Sequence, residues 1–227
     1  MGIDVWVERE RRAFDPKLST ITATSVTELV DVGASNEQLD WDSLSERVSN
    51  CTACSLHGTR TQTVFGVGDR ETDLMIIGEA PGAEEDKQGE PFVGRAGQLL
   101  NSMLLALGFE RRQVFIANIL KCRPPNNRDP KPDEAAACAG YLRRQISLVS
   151  PKAILAVGRV AAQNLLDEDT PIGKMRGRDY EFGNLPGGKK IPVIVTYHPA
   201  YLLRSPEEKR KVWQDLQSLQ RKLDELP

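Results

Sequence analysis

This sequence contains no long apolar run and little net charge. Among its 227 residues, no apolar run approaches the roughly 18 residues that a helix needs to cross a bilayer. The first ten residues include no apolar stretch of the kind that a signal peptide requires. The formal net charge is -2, which argues against a generally basic nucleic-acid coat protein. We therefore expect a globular, cytoplasmic protein that makes no contact with a membrane.

The sequence also lacks two familiar phosphate-binding motifs. GEAPG, at residues 78–82, is not followed by Lys-Ser/Thr and is therefore not a P-loop, and it does not fit the GxGxxG of dinucleotide binding. Its glycines instead allow backbone N–H groups to approach a ligand closely.

Cysteine is scarce, but its spacing is informative. The four cysteines are Cys51, Cys54, Cys122 and Cys138, and the first two form a CxxC pair. In the cytosol such a set is more typical of metal ligands than of two disulfides. Zinc and a [4Fe-4S] cluster both accept four thiolates, and the spacing does not choose between them. Unliganded buried cysteines are a third interpretation.

After residue 40, short apolar runs alternate with segments of helical periodicity. This alternation predicts an α/β layered fold with a mainly parallel sheet. Residues 1–40 show no strong periodicity and are interpreted as an N-terminal extension, a flexible arm, whereas residues 41–227 are interpreted as one domain. The strands are predicted at residues 74–77, 114–119, 153–157 and 191–196, and the main helices at 40–48, 96–107, 132–149, 159–166 and from Ser205 onward.

The stretch at residues 73–97 organises the rest of the chain. Its apolar strand is followed by seven residues of glycine or proline spread between Gly78 and Gly97. They predict an irregular loop of about 20 residues, and a loop of that length inside a compact domain is usually functional.

Polar side chains follow three of the four predicted strands. Glu79 follows the first strand, Asn118 lies at the end of the second, and His198 follows the fourth. Because ligands of parallel α/β sheets bind at the carboxyl ends of the strands, we expect these three side chains to face one another.

Several long motifs occur together and in a fixed order. They are GEAPGAEEDKQGEPFVGRAGQLL, ANILKCRPPNNRDP, the four cysteines and YHPAYLLR. From about Cys51 to the C-terminal helix, this arrangement resembles the family 4 uracil-DNA glycosylases. The resemblance implies a three-layer α/β/α fold with a central, mainly parallel, four-stranded sheet. It also implies a monomer that removes uracil from single- or double-stranded DNA, and a structural [4Fe-4S] cluster on the four cysteines.

The resemblance assigns roles to individual residues around the base. Phe92 would stack on a flipped-out uracil, and the amide of Asn118 would read its edge. His198 would donate a hydrogen bond to uracil O2, where negative charge develops as the base leaves. Glu79 would position water near the sugar, although the position of the water-activating aspartate in family 1 enzymes is occupied here by Ala80.

Further residues would shape the pocket and discriminate between bases. Gly78 and Ala80 belong to the loop that lets the backbone approach the substrate. Glu85 would exclude the methyl group of thymine.

Contacts with DNA are expected from two regions. Leu202 and Leu203 would form an apolar wedge that fills the space left by the extruded nucleotide, beside Arg204 as a phosphate contact. Packing of these leucines against the C-terminal helix is the alternative. Two basic loops, which contain Arg123 and the pair Lys174 and Arg176, are further phosphate contacts, with a plain charged surface as the alternative.

A different class of function remains open at this point. The chain could be a noncatalytic nucleic-acid-binding module with an iron-sulfur cluster or zinc, part of a repair or replication assembly. A relative that traps its product covalently through a histidine in a basic loop is disfavoured, because the only histidines are His57 and His198.

Overall fold

The computed structural model describes residues 36–183, 185 and 188–225. The predicted N-terminal extension therefore lies almost entirely outside the described residues, and the division of the chain at residue 40 stays a prediction. Within the described ranges, no helix is both long enough and apolar enough to span a membrane.

One six-stranded sheet forms the centre of the fold, with the order β1-β3-β2-β4-β6-β5. The four predicted strands are β2, β3, β4 and β6, and they pair in parallel. Two short strands, β1 and β5, extend the edges with antiparallel pairing and were not predicted as strands. The strands are β1 (Val67–Gly68), β2 (Leu74–Gly78), β3 (Phe115–Asn118), β4 (Ala153–Val157), β5 (Tyr180–Phe182) and β6 (Ile191–Thr196).

Helices cover both faces of the sheet, which confirms the three-layer α/β/α fold. The α-helices of the described residues are α1 (Trp41–Ser49), α2 (Ala83–Gln88), α3 (Arg95–Ala106), α4 (Pro132–Val149), α5 (Arg159–Leu166), α6 (Ile172–Met175), α7 (Pro199–Leu202) and α8 (Lys209–Glu225).

The apolar run of strand β2 is continuous because helices cover both faces of the sheet. Met75 and Ile77 pack in one core cluster with residues of α4 and α5, whereas Leu74 and Ile76 pack in a second cluster with residues of α3 and α8. All four side chains are completely buried. A strand with helices on both faces has no solvent-facing side, so alternate polar residues are not needed.

The loop after β2 is more regular than the sequence predicts. Helix α2 interrupts it, beginning after Gly82 and ending at Gly89, whose φ of 78° is the left-handed C-cap conformation. A helix of six residues has little periodicity to detect, and its acidic first turn gives the only local signal. The prediction that the whole stretch is irregular was therefore wrong.

The segment before β6 forms a hairpin with that strand. Strand β5 pairs with β6 in antiparallel fashion, with Phe182 opposite Ile191. Arg176, just before β5, ties this segment to α8 through a buried ion pair with Asp215.

Candidate base-recognition site

The carboxyl end of β2 is the point at which the site residues meet. A Cβ atom built on Gly78 would lie 2.5 Å from Asn118 Oδ1 and 2.6 Å from Phe92 Cε2 and Cζ. Only glycine leaves room for both side chains, because real Cβ contacts are never so short. The register of the sheet brings Asn118 to this position, since Gly78 of β2 is paired with Asn118 of β3.

The amide of Asn118 has an unused acceptor. The residue is 2% exposed, and its Oδ1 is buried without a hydrogen-bond partner among the described residues. An unsatisfied buried acceptor costs about 1–3 kcal/mol, so such groups in native proteins demand an explanation. A ligand N–H donor that enters beside Gly78 would satisfy this oxygen.

The ring of Phe92 is one wall of the site. It stacks on the imidazole of His198, with 5.6 Å between the ring centroids and 28° between the planes. Phe92 has a φ of 54°, an uncommon conformation for an aromatic residue. Its carbonyl accepts a hydrogen bond from Arg111, which also donates to the carbonyl of Pro91 at 2.5 Å. Arg111 was not identified from the sequence, since it lies in a separate turn with no motif around it.

His198 is held as a neutral hydrogen-bond donor. Its Nδ1 accepts the backbone N–H of Ala200 at 3.1 Å, which leaves the proton of the neutral ring on Nε2. Burial, followed by the nearby Arg204, lowers the pKa of His198 to about 4. Gly158, at the end of β4, lets the ring approach, because a Cβ there would lie 3.1 Å from His198 Cβ.

Glu79 lies beside two charged groups that sequence analysis missed. Burial and the nearby carboxylate of Asp129 raise the pKa of Glu79 to about 7, while Arg159 opposes this rise. Asp129 and Arg159 form an ion pair with each other. Only their positions in the chain could have indicated these two residues. Arg159 begins the helix after β4, and Asp129 lies in the Pro-rich loop between β3 and α4.

Glu85 binds the backbone of the loop. Its carboxylate accepts the N–H groups of Gly82, Val93 and Gly94 at 3.0–3.1 Å. These bonds satisfy the first orphan donors of α2 and α3. The exclusion of thymine by Glu85 stays a prediction, and its carboxylate is already occupied. Ala80 packs against the cluster of apolar side chains around the cysteines.

Two of the predicted DNA contacts are placed in the protein interior. Leu202 is 1% exposed and belongs to the core between α3 and α8, as the alternative interpretation of this segment stated. The side chain of Arg176 is 10% exposed, binds the carboxylate of Asp215 and covers the ring of Tyr197. Because Leu202 is buried and the guanidinium of Arg176 is already bound to Asp215, neither side chain is available for a DNA contact in this structure.

The remaining predicted contacts are accessible. Leu203 is 39% exposed, and Lys174 and Arg204 are exposed. Arg123 is half-buried and donates to the side chain of Asn127 within the Pro-rich loop.

The ion pair of Asp215 should contribute strongly to stability. Asp215 also accepts a hydrogen bond from Thr196 at the end of β6. The change Asp215→Ala removes the only carboxylate paired with the largely buried Arg176 cation among the described residues, and we expect a loss of about 3–5 kcal/mol in the free energy of unfolding. Urea titration measures this loss. The matched control is Glu181→Ala, which removes the exposed pair with Lys190 and should cost less than about 1 kcal/mol. Equal losses in the two variants would contradict this account.

The four cysteines line one cavity. They come from the segment after α1, the beginning of the loop after β3, and α4, and none of the four forms a disulfide. Arg60 Nη1 donates to Cys122 Sγ at 3.0 Å. In the part of the chain that the structure describes, no group of three His, Cys, Asp or Glu side chains is placed to hold a single metal ion.

These features together define an α/β protein with a polar and aromatic site at the carboxyl ends of a parallel sheet. The model of the uracil DNA glycosylase superfamily matches residues 65–217, and the chain belongs to that superfamily.

Curated relatives are similar over most of the chain. The type-4 uracil-DNA glycosylase of Archaeoglobus fulgidus is 44% identical over 182 residues, which are 78% of this chain and 90% of that protein. The type-4 uracil-DNA glycosylase of Thermotoga maritima is 48% identical over 177 residues, 77% of this chain and 90% of that protein. A type-5 uracil-DNA glycosylase of Pyrobaculum aerophilum is 30% identical over 153 residues, 60% of this chain and 64% of that protein. These findings confirm the family predicted from the motifs.

Proposed function

We propose that the protein is a monofunctional uracil-DNA glycosylase. It hydrolyses the N-glycosidic bond of a deoxyuridine flipped out of single- or double-stranded DNA, and it leaves free uracil and an abasic site. The observation that carries the proposal is the unpartnered, buried Oδ1 of Asn118 beside the ring of Phe92. Family membership and the names of the relatives support the same activity.

Asn118 would discriminate uracil from cytosine. Its carbonyl can accept the N3–H of uracil while its NH2 group donates to O4. Cytosine presents an acceptor at N3 and an amino group at C4, so the same amide would face mismatched partners. Phe92 would hold the plane of the base, because a π-face stacks on any base while the amide reads its edge.

His198 would stabilise the departing base. Cleavage builds oxocarbenium character on the sugar and negative charge on uracil, chiefly at O2. A neutral imidazole with its proton on Nε2 can donate to O2 without transferring that proton fully. A donor of this kind in a water-excluded site contributes about 3 kcal/mol to lowering the barrier.

Glu79 would act on the other side of the sugar. As a carboxylate it can orient the attacking water and offset the positive charge of the oxocarbenium-like sugar. This role rests on the location of Glu79 after β2 and on its raised pKa.

The role of Glu79 predicts a pH profile. Because its pKa lies at about 7, kcat/KM for uracil release should rise as pH increases through 7 and level off above it. The variant Glu79→Gln should lose about 10²-fold in kcat/KM at pH 8 and should lose the rise with pH. Its matched control is Glu84→Gln, an exposed carboxylate on α2. Near-normal single-turnover excision by Glu79→Gln would show that this role is wrong.

The four cysteines are proposed to hold a [4Fe-4S] cluster. A cavity lined by four free thiols supports it. Zinc also accepts four thiolates, and the resemblance of the motifs to the family 4 enzymes favours the cluster. The bound cluster would cross-link three segments, and no catalytic step is assigned to it.

DNA contacts, assembly and compartment complete the proposal. Leu203, at the tip after α7, would enter the space left by the extruded nucleotide, and Arg123, Lys174 and Arg204 would contact phosphates. Affinity for DNA should then fall as salt is added. We further propose that the protein is a cytoplasmic monomer.

The direct test is release of free uracil. Protein purified anaerobically, with its iron content measured, is incubated with single- and double-stranded oligonucleotides that contain one uracil. Matched oligonucleotides with thymine or cytosine at that position are the controls. We expect uracil release only from the uracil substrates. Binding of DNA by iron-loaded protein without any release would instead support the noncatalytic nucleic-acid-binding module.

A further inference from the structure

Lys121 is a buried lysine between the base-recognition site and the cysteine cavity. It is 1% exposed, directly precedes Cys122 and follows Asn118 by three residues. A lysine is almost never fully buried unless its ammonium is paired or hydrogen-bonded. The burial of Lys121 therefore needs a physical reason, and neither recognition of the base nor ligation of the cluster provides one.

The ammonium of Lys121 holds the main chain of Asn118. Nζ donates to the Asn118 carbonyl at 2.9 Å and to Gln145 Oε1 at 2.6 Å. Gln145 is itself completely buried and donates from Nε2 to the carbonyl of Phe65 at 2.9 Å, so its orientation is fixed. The side chain of Lys121 is thus anchored between α4 and the backbone of the uracil-reading residue.

Both of these acceptors are neutral. None of the ion pairs among the described residues includes Lys121. Lys121 also lines the cysteine cavity, together with Cys122 and Cys138. Four thiolates around a cluster would supply the negative charge that a buried ammonium requires.

We propose that Lys121 is a positioning residue that couples the cysteine site to the uracil-reading amide of Asn118. The coupling rests on the cluster proposed above. Lys121 lines the cavity of the cysteines, and its Nζ sets the position of the Asn118 backbone. The Oδ1 of Asn118 and the ring of Phe92 both lie close against Gly78, so a small displacement of the Asn118 backbone misplaces Oδ1 against the base.

The test compares iron-loaded Lys121→Met with the wild type. Methionine keeps the length of the side chain but removes the charge and the hydrogen bonds. We expect near-normal iron content, a reduction potential shifted to more negative values because a nearby positive charge is lost, and about tenfold weaker binding of free uracil. In excision assays KM should rise more than kcat falls. Lys152→Met is the matched control, because Lys152 lies at the opposite end of β4 from the site.

A second variant covers the case in which Lys121→Met fails to fold or to load iron. Gln145→Met leaves the cysteine cavity intact but removes the group that anchors Nζ from α4. It should bind uracil more weakly with unchanged iron content. Unchanged potential and uracil affinity in iron-loaded Lys121→Met, or unchanged affinity in Gln145→Met when the first variant fails, would overturn the inference. A wild-type protein without iron would instead remove the proposed cluster.

Discussion

The change His198→Ala is expected to reduce the single-turnover rate of uracil release by about 10³-fold. The lost group is the Nε2–H donor that a backbone N–H from Ala200 places in the correct tautomer. The donor acts on charge that develops as the base leaves, so the loss should appear mainly in the chemical step. Rapid-quench measurement of free uracil with enzyme in excess isolates that step.

Two controls separate chemistry from folding in this experiment. The Tm and the affinity for uracil-containing DNA should change little, since His198 lies at the N-cap of the four-residue helix α7 and not within a strand or a long helix. His198→Gln, which keeps an N–H donor of similar reach, should recover part of the rate.

The pH dependence adds a third check. Because the pKa of His198 is about 4, its titration should leave no inflection in kcat/KM between pH 5 and 9. A rate for His198→Ala within tenfold of the wild type would contradict the proposed donor.

The change Cys122→Ser is expected to lose iron, stability and uracil release together. Cys122 is buried, four residues after Asn118, and its sulfur accepts a hydrogen bond from Arg60. Loss of a structural metal centre releases the segments that it cross-links, and we expect a decrease of about 10 °C in Tm. Iron analysis, visible absorbance, thermal unfolding and uracil release measured on one preparation follow the three properties.

The matched control for Cys122→Ser is Ala53→Ser. Ala53 lines the same cavity but contributes no thiol, so this variant should keep iron and activity. Serine at Cys51, Cys54 or Cys138 should reproduce the losses of Cys122→Ser. A stable, fully active Cys122→Ser protein without iron would show that the cysteines do not support the site.

The strands and long helices could be predicted because their signals are local. Helix α4 begins at Pro132 and ends at Val149 as predicted, since proline suits the first helical turn and the apolar period persists to the end. Strands β4 and β6 have the predicted bounds for a similar reason. The edge strands β1 and β5, of two and three residues, are too short to carry a period, and they exist because the sheet offers them a partner.

The site shows the same division between local and distant information. The rule that ligands bind at strand carboxyl ends brought Glu79, Asn118 and His198 into one prediction. The structure places Asn118 Oδ1 and the ring of Phe92 beside Gly78, and stacks His198 on that ring. The interior positions of Leu202 and Arg176 were not predictable. Each depends on a helix far along the chain or across the fold that covers it.

The sequence by itself determined the family, the strand runs and the types of residue at the site, because motifs and apolar periods are properties of neighbouring residues. Only the tertiary structure decided which polar groups lack partners and which already have them. The Oδ1 of Asn118 is left free in a buried place, whereas the carboxylate of Glu85 and the guanidinium of Arg176 are bound to groups of the protein itself. Whether a hydrogen-bonding group finds a partner depends on the groups that the fold places beside it, and those neighbours come from elements distant in the chain.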